Sequence, residues 1–158
     1  MSTTATSSAS SFRGREGSGT ASDRAPVLLD TNALLLASRV RFPLESEIHR
    51  WRPGARILVP NSVLGELERL EERGVPGARV AAALARRYAH LPSTSRGDRA
   101  IVECAVRHRA WVVTADQELA TALRSRGVNV LSPRDRHRLE LHRGRPNAPR
   151  PSRASPVE

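Results

Sequence analysis

Four acidic residues stand where their side chains could share one metal ion: Asp30, Glu66, Asp98 and Asp116. Asp30 and Asp116 each follow an apolar run, so both are expected just beyond the carboxyl ends of buried strands. In a parallel sheet these ends lie at one edge, where ligand sites usually form. Crowded carboxylates repel one another, and a hard divalent cation such as Mg²⁺ or Mn²⁺ relieves that repulsion. The pattern therefore indicates a metal site that could handle phosphates.

Each of these acids, taken alone, also has a purely structural explanation. Asp30, Asp98 and Asp116 stand where helices are expected to begin, and aspartate is a favoured N-cap residue. Glu66 borders the apolar stripe of its helix, although a solvated helix position would explain it as well. Only the occurrence of all four acids together favours a site.

The elements that must position the acids alternate along the chain. Strands are predicted at residues 26–29, 56–59, 111–114 and 128–131, and helices at residues 31–38, 44–51, 62–73, 76–90, 98–108 and 117–125. Such alternation is typical of an α/β layered fold with a mainly parallel sheet.

Composition places one folded domain between two segments of low apolar content. Residues 1–25 are rich in Ser and Thr and are predicted to be a disordered tail. Residues 26–132 can bury a single core. Residues 133–158 are predicted to be an Arg- and Pro-rich basic tail with one short ordered piece at residues 138–141.

The chain is strongly basic, with a formal net charge of +10, and none of its basic residues is Lys. Arginine forks match phosphate oxygens, so a polyanion such as RNA is the expected partner, although a solvated basic surface would explain the charge equally well. Aromatic residues make up only 3% of the chain, which argues against base stacking as the main binding mode. The longest apolar run is too short to span a bilayer, so no membrane association is expected. The arginines considered for RNA contact are Arg124, Arg126, Arg134, Arg136 and Arg138.

Four segments carry a resemblance to a known family. In order, VLLDTNALL, VPNSVLGELERL, GDRAIVECA and VVTADQELATALRSRGVNVL resemble a PIN-domain nuclease. They are most similar to the archaeal and eukaryotic branch of small-subunit ribosomal RNA processing endonucleases. The resemblance covers residues 26–132 and implies a PIN-like three-layer sandwich, with a four- or five-stranded mainly parallel sheet flanked by helices.

The resemblance also implies roles for individual residues. The catalytic, metal-binding acids of the family fall on Asp30, Glu66, Asp98 and Asp116. Its orienting hydroxyl and amide groups fall on Thr31, Asn32 and Thr114. The chain has Ala115 where many members have Asn.

The implied activity is cleavage of RNA by an endoribonuclease that depends on Mg²⁺ or Mn²⁺. Ribosomal precursor RNA, ribosome-assembly proteins and a second copy of the chain are the partners this resemblance suggests. The expected location is the cytoplasm, or the nucleolus in a eukaryote. Three alternatives stay open. They are a VapC-type toxin ribonuclease, a non-catalytic RNA-binding PIN scaffold in ribosome assembly, and a basic structural protein of a ribonucleoprotein in which the acids are only helix caps.

Overall fold

The computed structural model describes residues 25–146. Strands and helices alternate along these residues, as the sequence predicts. In chain order they are β1 (Val27–Leu29), α1 (Thr31–Val40), α2 (Leu44–Trp51), β2 (Ile57–Pro60), α3 (Asn61–Glu72), α4 (Ala78–Arg86), β3 (Ala89–Leu91), α5 (Gly97–His108), β4 (Trp111–Val113), α6 (Gln117–Ser125), β5 (Val130–Pro133) and β6 (Leu139–His142). The predicted tail at residues 1–25 lies outside the described residues, apart from buried Ala25.

The described strands form one sheet in the order β3-β2-β1-β4-β5-β6. The first five strands in this order run parallel to one another, and β6 is antiparallel to β5. Because β1, β2, β4 and β5 point the same way, their carboxyl ends form one edge, called the carboxyl edge below. The mainly parallel α/β fold flanked by helices is confirmed, with six strands in the described sheet rather than four or five.

The two additional strands carry weak sequence signals. The helix predicted at residues 76–90 ends at Arg86, and Ala89–Leu91 forms β3 at one sheet edge. The side chains of β3 are exposed or half-buried, so no apolar run marks this strand. At the other edge, the ordered piece expected at residues 138–141 is β6, so the sheet continues into the segment predicted as a basic tail.

Leucine, isoleucine, valine and alanine side chains fill the core around the central strands. All three residues of β1 are fully buried, as expected for a central parallel strand covered on both faces. The backbone closes tightly at Gly144, where a Cβ atom would overlap the backbone of Gly127. None of the helices within residues 25–146 has the length and apolar character needed to cross a bilayer.

Candidate active site

Asp30 lies where β1 meets α1, next to the end of β4. Leu29 pairs with Val113 in the parallel register, so the residues that follow them, Asp30 and Thr114, lie side by side. Asp30 occupies the N-cap position of α1, yet its side chain makes no capping hydrogen bond. Instead, Asp30 Oδ2 accepts a hydrogen bond of 2.8 Å from Thr114 Oγ1. The capping explanation is therefore wrong for Asp30.

The environment of Asp30 disfavours its charged form. The residue is only 5% exposed, and this burial is the main reason why its pKa rises from 3.8 to about 6. Hydrogen bonds from Thr114 and from the backbone of Thr31 oppose that rise, whereas the negative charges of Asp98 and Glu66 add to it. Asp98 and Glu66 therefore lie close enough to repel Asp30.

Glu66 is joined to the start of α1 by a buried threonine. Thr31 Oγ1 donates a hydrogen bond of 2.8 Å to Glu66 Oε2, and Thr31 is only 5% exposed. This contact fixes one carboxylate oxygen of α3 against the residue that follows Asp30. Glu66 is half-buried, so it is not the freely solvated helix residue of the simpler explanation.

Asp98 and Asp116 reach the same region from α5 and α6. Asp98 lies in the first turn of α5, whose N-cap residue is Arg96, so Asp98 does not cap that helix. Partial burial, followed by the charges of Asp116, Glu66 and Glu118, raises the pKa of Asp98. The two carboxylates therefore repel each other in the folded chain.

Asp116 does serve as a helix cap, as its structural explanation predicts. Its Oδ1 atom accepts hydrogen bonds from the backbone of Glu118 at 2.9 Å and of Leu119 at 3.2 Å. Both bonds use the same oxygen, which leaves Asp116 Oδ2 outside the cap. Buried Thr114 ties this residue to Asp30, because its hydroxyl accepts the Asp116 N–H at 3.0 Å while donating to Asp30.

The structure therefore connects two of the three predicted orienting residues to acids. Thr114 contacts Asp30 and Asp116, whereas Thr31 contacts Glu66. Asn32 is exposed on α1. Within the described part of the chain, its amide makes no hydrogen bond to any of the acids.

The donor chemistry of this cluster fits a divalent cation. All four side chains offer carboxylate oxygens, the ligands that Mg²⁺ and Mn²⁺ prefer. Among residues 25–146, no arginine or histidine forms a salt bridge with Asp30, Glu66, Asp98 or Asp116, so their negative charge is not compensated. However, no three or more His, Cys, Asp or Glu side chains of these residues stand in an arrangement that could hold a metal ion. Binding would therefore require side-chain rearrangement around the donors.

Comparison with known proteins identifies the family. A model of the PIN-like domain family matches residues 27–136. The chain belongs to the PIN-like domain family. No match was found among curated proteins.

Two solved structures share the fold of this PIN-like domain. One is described as the structure of the PIN domain endonuclease Utp24. It has a TM-score of 0.66 at 23% identity, and the alignment covers 78% of this chain and 96% of that one. The other is a domain of a functionally unknown protein from Methanocaldococcus jannaschii DSM 2661, with a TM-score of 0.53, 16% identity and coverage of 70% and 92%. At these identities the likeness shows the fold.

The five arginines predicted to contact RNA fall into two groups in this PIN-like domain. Arg134, Arg136 and Arg138 are exposed in the turn between β5 and β6, at the carboxyl edge. Asp135 Oδ1 shapes this turn by accepting the N–H groups of His137 at 2.8 Å and Arg138 at 2.9 Å. These three arginines therefore lie on the same edge as the acids.

Arg124 and Arg126 lie at the far end of α6. This helix begins after Asp116 and runs away from the carboxyl edge. Arg126 instead lines a cavity with Trp111 and Val128, at the beginnings of β4 and β5, and Arg124 Nε donates to the carbonyl of Arg143 at 3.1 Å. These two arginines therefore do not border the acids. RNA contact by any of the five stays a prediction.

Proposed function

We propose that this PIN-like domain is a divalent-metal-dependent endoribonuclease that cleaves phosphodiester bonds in ribosomal RNA precursors. The observation that carries the proposal is the set of four acids at the carboxyl edge that have no cationic partners among residues 25–146. Burial raises the pKa of Asp30 in this set to about 6, and the charges of Asp98 and Glu66 add to the rise. PIN domains are generally nucleases, and the similar Utp24 structure is named as an endonuclease. The strong positive net charge favours a polyanionic substrate.

The acids divide into residues that would hold the ion and a residue that would orient water. Asp30 and the free Oδ2 of Asp116 would bind Mg²⁺ or Mn²⁺, with Asp98 contributing directly or through water. When bound, such an ion lowers the pKa of water and offsets charge on a phosphate. Glu66, held by Thr31, would orient the attacking water. Hydrolysis of the bond between phosphorus and the 3′ oxygen would give 5′-phosphate and 3′-hydroxyl ends.

A labelled fragment of ribosomal precursor RNA tests this proposal. The purified chain is incubated with the fragment and Mn²⁺, Mg²⁺ or a chelator. We expect cleavage with either metal and none with the chelator. Asp30→Asn should abolish cleavage without unfolding the chain, because Asn keeps the shape and can still accept from Thr114. Glu140→Gln, an exposed change on β6 that also removes one negative charge, should cleave like the parent.

A non-catalytic RNA-binding scaffold is the second candidate. It is favoured by the capping role of Asp116 and by the lack of a ready three-acid arrangement among the described residues. In that case the chain would bind the fragment but leave it intact with both metals. Under the first proposal, ribosome-assembly proteins are the expected partners, and the cytoplasm or nucleolus is the expected location.

A further inference from the structure

A polar cavity of about 220 Å³ lies beside the acids, on the β2–β3 side of the sheet. It opens between the first turns of α3 and the loop that joins β3 to α5. The residues that matter for its chemistry are Ser62, Gly65, Arg69, Ser93, Thr94 and Arg96. No carboxylate and no aromatic ring is among the residues that line it.

Two arginines give the cavity its charge. Arg69 comes from α3, and Arg96 ends the loop before α5; both are exposed. Neither has an acidic partner within residues 25–146, although the nearby Glu68 and Glu71 both pair with Arg86. The cavity therefore carries two guanidinium groups whose hydrogen-bonding capacity toward an anion is available.

A glycine inside α3 leaves open space beside the guanidinium of Arg69. A Cβ atom at Gly65 would lie 3.6 Å from Arg69 Nη1, in ordinary contact with the guanidinium. Glycine in a helix interior costs about 1 kcal/mol relative to alanine. Its presence one residue before Glu66 keeps the wall of the cavity open at this point.

Ser62, one of the residues that line the cavity, has a buried hydroxyl without a partner among the described residues. Ser62 Oγ is shielded from solvent and has no hydrogen-bond partner within the described chain. Its backbone N–H donates to Ser93 Oγ at 3.3 Å, so the Ser93 hydroxyl can still donate its own proton. Leaving a buried polar group unpaired is costly, so a ligand in the cavity would favour a turn of the Ser62 side chain that brings its hydroxyl toward the ligand.

The beginning of α3 adds a weaker attraction for negative charge. No side chain caps this helix, and its first turn contains no acid. Helix N-termini carry a partial positive charge and present free N–H groups, so anions bind there readily. The helix end adds to the stronger attraction that the arginines and hydroxyls exert on an anion.

We propose that this cavity binds a backbone phosphate of the RNA substrate, next to the phosphate that is cleaved. The inference rests on the proposed ribonuclease function. Guanidinium groups and hydroxyls are common ligands of phosphate oxygens, and no aromatic ring lines the cavity for a base to stack on. Ser62 precedes Glu66 by one helical turn, about 6 Å along the axis of α3. A phosphate in the cavity would therefore hold the strand beside the acids.

RNA binding in the presence of a chelator tests the cavity separately from cleavage. Fluorescence anisotropy measures the Kd of a labelled single-stranded RNA at several salt concentrations for the parent, Arg69→Ala, Arg96→Ala, Ser62→Ala and Arg56→Ala. The last variant is the matched control, since exposed Arg56 precedes β2 at the opposite edge of the sheet. Each of the two cavity arginine variants should weaken binding about threefold to tenfold. Each should also reduce the salt slope, which is the slope of log Kd against the logarithm of salt concentration, by about 0.7.

Ser62→Ala separates hydrogen bonding from charge. This variant should weaken binding severalfold without a change in the salt slope, because it removes no charge. It should also fold, because the deleted oxygen has no partner within the described chain. Unchanged affinity in Ser62→Ala, together with Arg69→Ala and Arg96→Ala values equal to Arg56→Ala, would overturn the phosphate subsite.

The remaining outcomes separate the subsite from the ribonuclease proposal. A parent chain that binds RNA through Arg69 and Arg96 but never cuts it would support the subsite and contradict the enzyme. A parent that cuts RNA while the cavity variants bind like Arg56→Ala would support the enzyme and contradict the subsite. If the parent binds no RNA in chelator, the subsite is wrong.

Discussion

At the scale of single residues, buried threonines determine where the acids point. Thr114, after β4, donates a hydrogen bond to Asp30, after the adjacent strand β1. Thr31 donates to Glu66 on α3 rather than to its neighbour Asp30. The sequence predicted that both hydroxyls orient acids, but spacing along the chain could not show which acid each one serves. Those contacts join residues 84 and 35 positions apart, so they depend on strand register and helix packing.

The raised pKa of Asp30 predicts how stability changes with pH in chelator. Well below pH 3.8, Asp30 is protonated in both the folded and the unfolded chain. As pH rises from 3.8 to about 6, the unfolded chain loses this proton while the folded chain keeps it. The free energy of unfolding therefore falls, by about 3 kcal/mol in total, and stays low at higher pH.

Asp30→Asn removes the carboxyl group whose ionisation lowers the free energy of unfolding. The variant should therefore stabilise the chain more at pH 8 than at pH 4. Urea unfolding of parent and variant at both pH values, with chelator present, measures the difference. Glu140→Gln is the control and should show no such dependence, because Glu140 is exposed. A stability difference between parent and Asp30→Asn that is the same at pH 4 and pH 8 would contradict the raised pKa of buried Asp30.

Thr114 should matter for activity through its contacts and not merely through its volume. Thr114→Val keeps the shape but removes the hydroxyl that donates to Asp30 and accepts from the Asp116 backbone. We expect kcat/KM to fall about 10- to 100-fold, as for other residues that orient metal ligands. Thr114→Ser keeps both hydrogen bonds and should recover most of the activity. Equal losses in the two variants would show that packing, not the hydroxyl, is what matters.

At the scale of elements, α2 anchors the antiparallel strand β6 through one backbone position. Glu47 Oε1 accepts the Leu139 N–H at 2.8 Å. The Leu139 carbonyl in turn accepts from Arg50 at 3.0 Å and from the indole of Trp51 at 2.9 Å. Both hydrogen-bonding groups of Leu139 are thus held by α2, which explains how a segment rich in arginine forms a strand.

Glu47→Ala should therefore detach β6. Glu47 is 7% exposed, and the hydrogen bonds from Arg50 are the main cause that lowers its pKa. Losing a charged acceptor should cost about 2–3 kcal/mol of unfolding free energy, with faster amide exchange in residues 139–142. Glu45→Ala on the same helix is the control and should cost less, because Glu45 is exposed. Unchanged exchange in β6 would show that the strand does not depend on Glu47.

The elements that the sequence predicted well are those with a strong apolar period. The bounds of α2 and α6 match the prediction, whereas the last predicted strand lies two residues further along, at Val130–Pro133. Val128 instead closes the turn after α6 by donating its N–H to Leu123 at 3.0 Å. Short edge strands such as β3 lack an apolar run, so only their pairing with neighbours reveals them.

At the scale of the whole molecule, the acids lie between two groups of arginines along the carboxyl edge. Arg69 and Arg96 lie toward β2 and β3, and the turn with Arg134, Arg136 and Arg138 lies toward β6. β2 and β5 are three strand spacings apart, about 14 Å, which a short stretch of RNA can cross. Sequence order alone predicted the acids but not the cavity arginines, since Arg69 and Arg96 belong to two different elements.

Metal binding should stabilise the whole chain if the acids form one site. An ion that binds only the folded chain raises the free energy of unfolding, by about 2.7 kcal/mol when its concentration is 100 times the Kd. Millimolar Mn²⁺ should therefore raise the Tm of the parent at pH 7.5. The rise should shrink at pH 5, because Asp30, with a pKa of about 6, must lose its proton to bind the ion.

Charge-matched variants determine where the ion binds. The acids of residues 25–146 are not arranged around an ion beforehand. Their rearrangement therefore opposes binding, and we expect a modest affinity and a Tm that still rises at millimolar Mn²⁺. Asp30→Asn should lose most of this rise, whereas Glu140→Gln should keep it, since Glu140 lies on β6 outside the cluster. Equal Tm shifts in both variants would mean that the ion binds elsewhere, and the acids would then be structural.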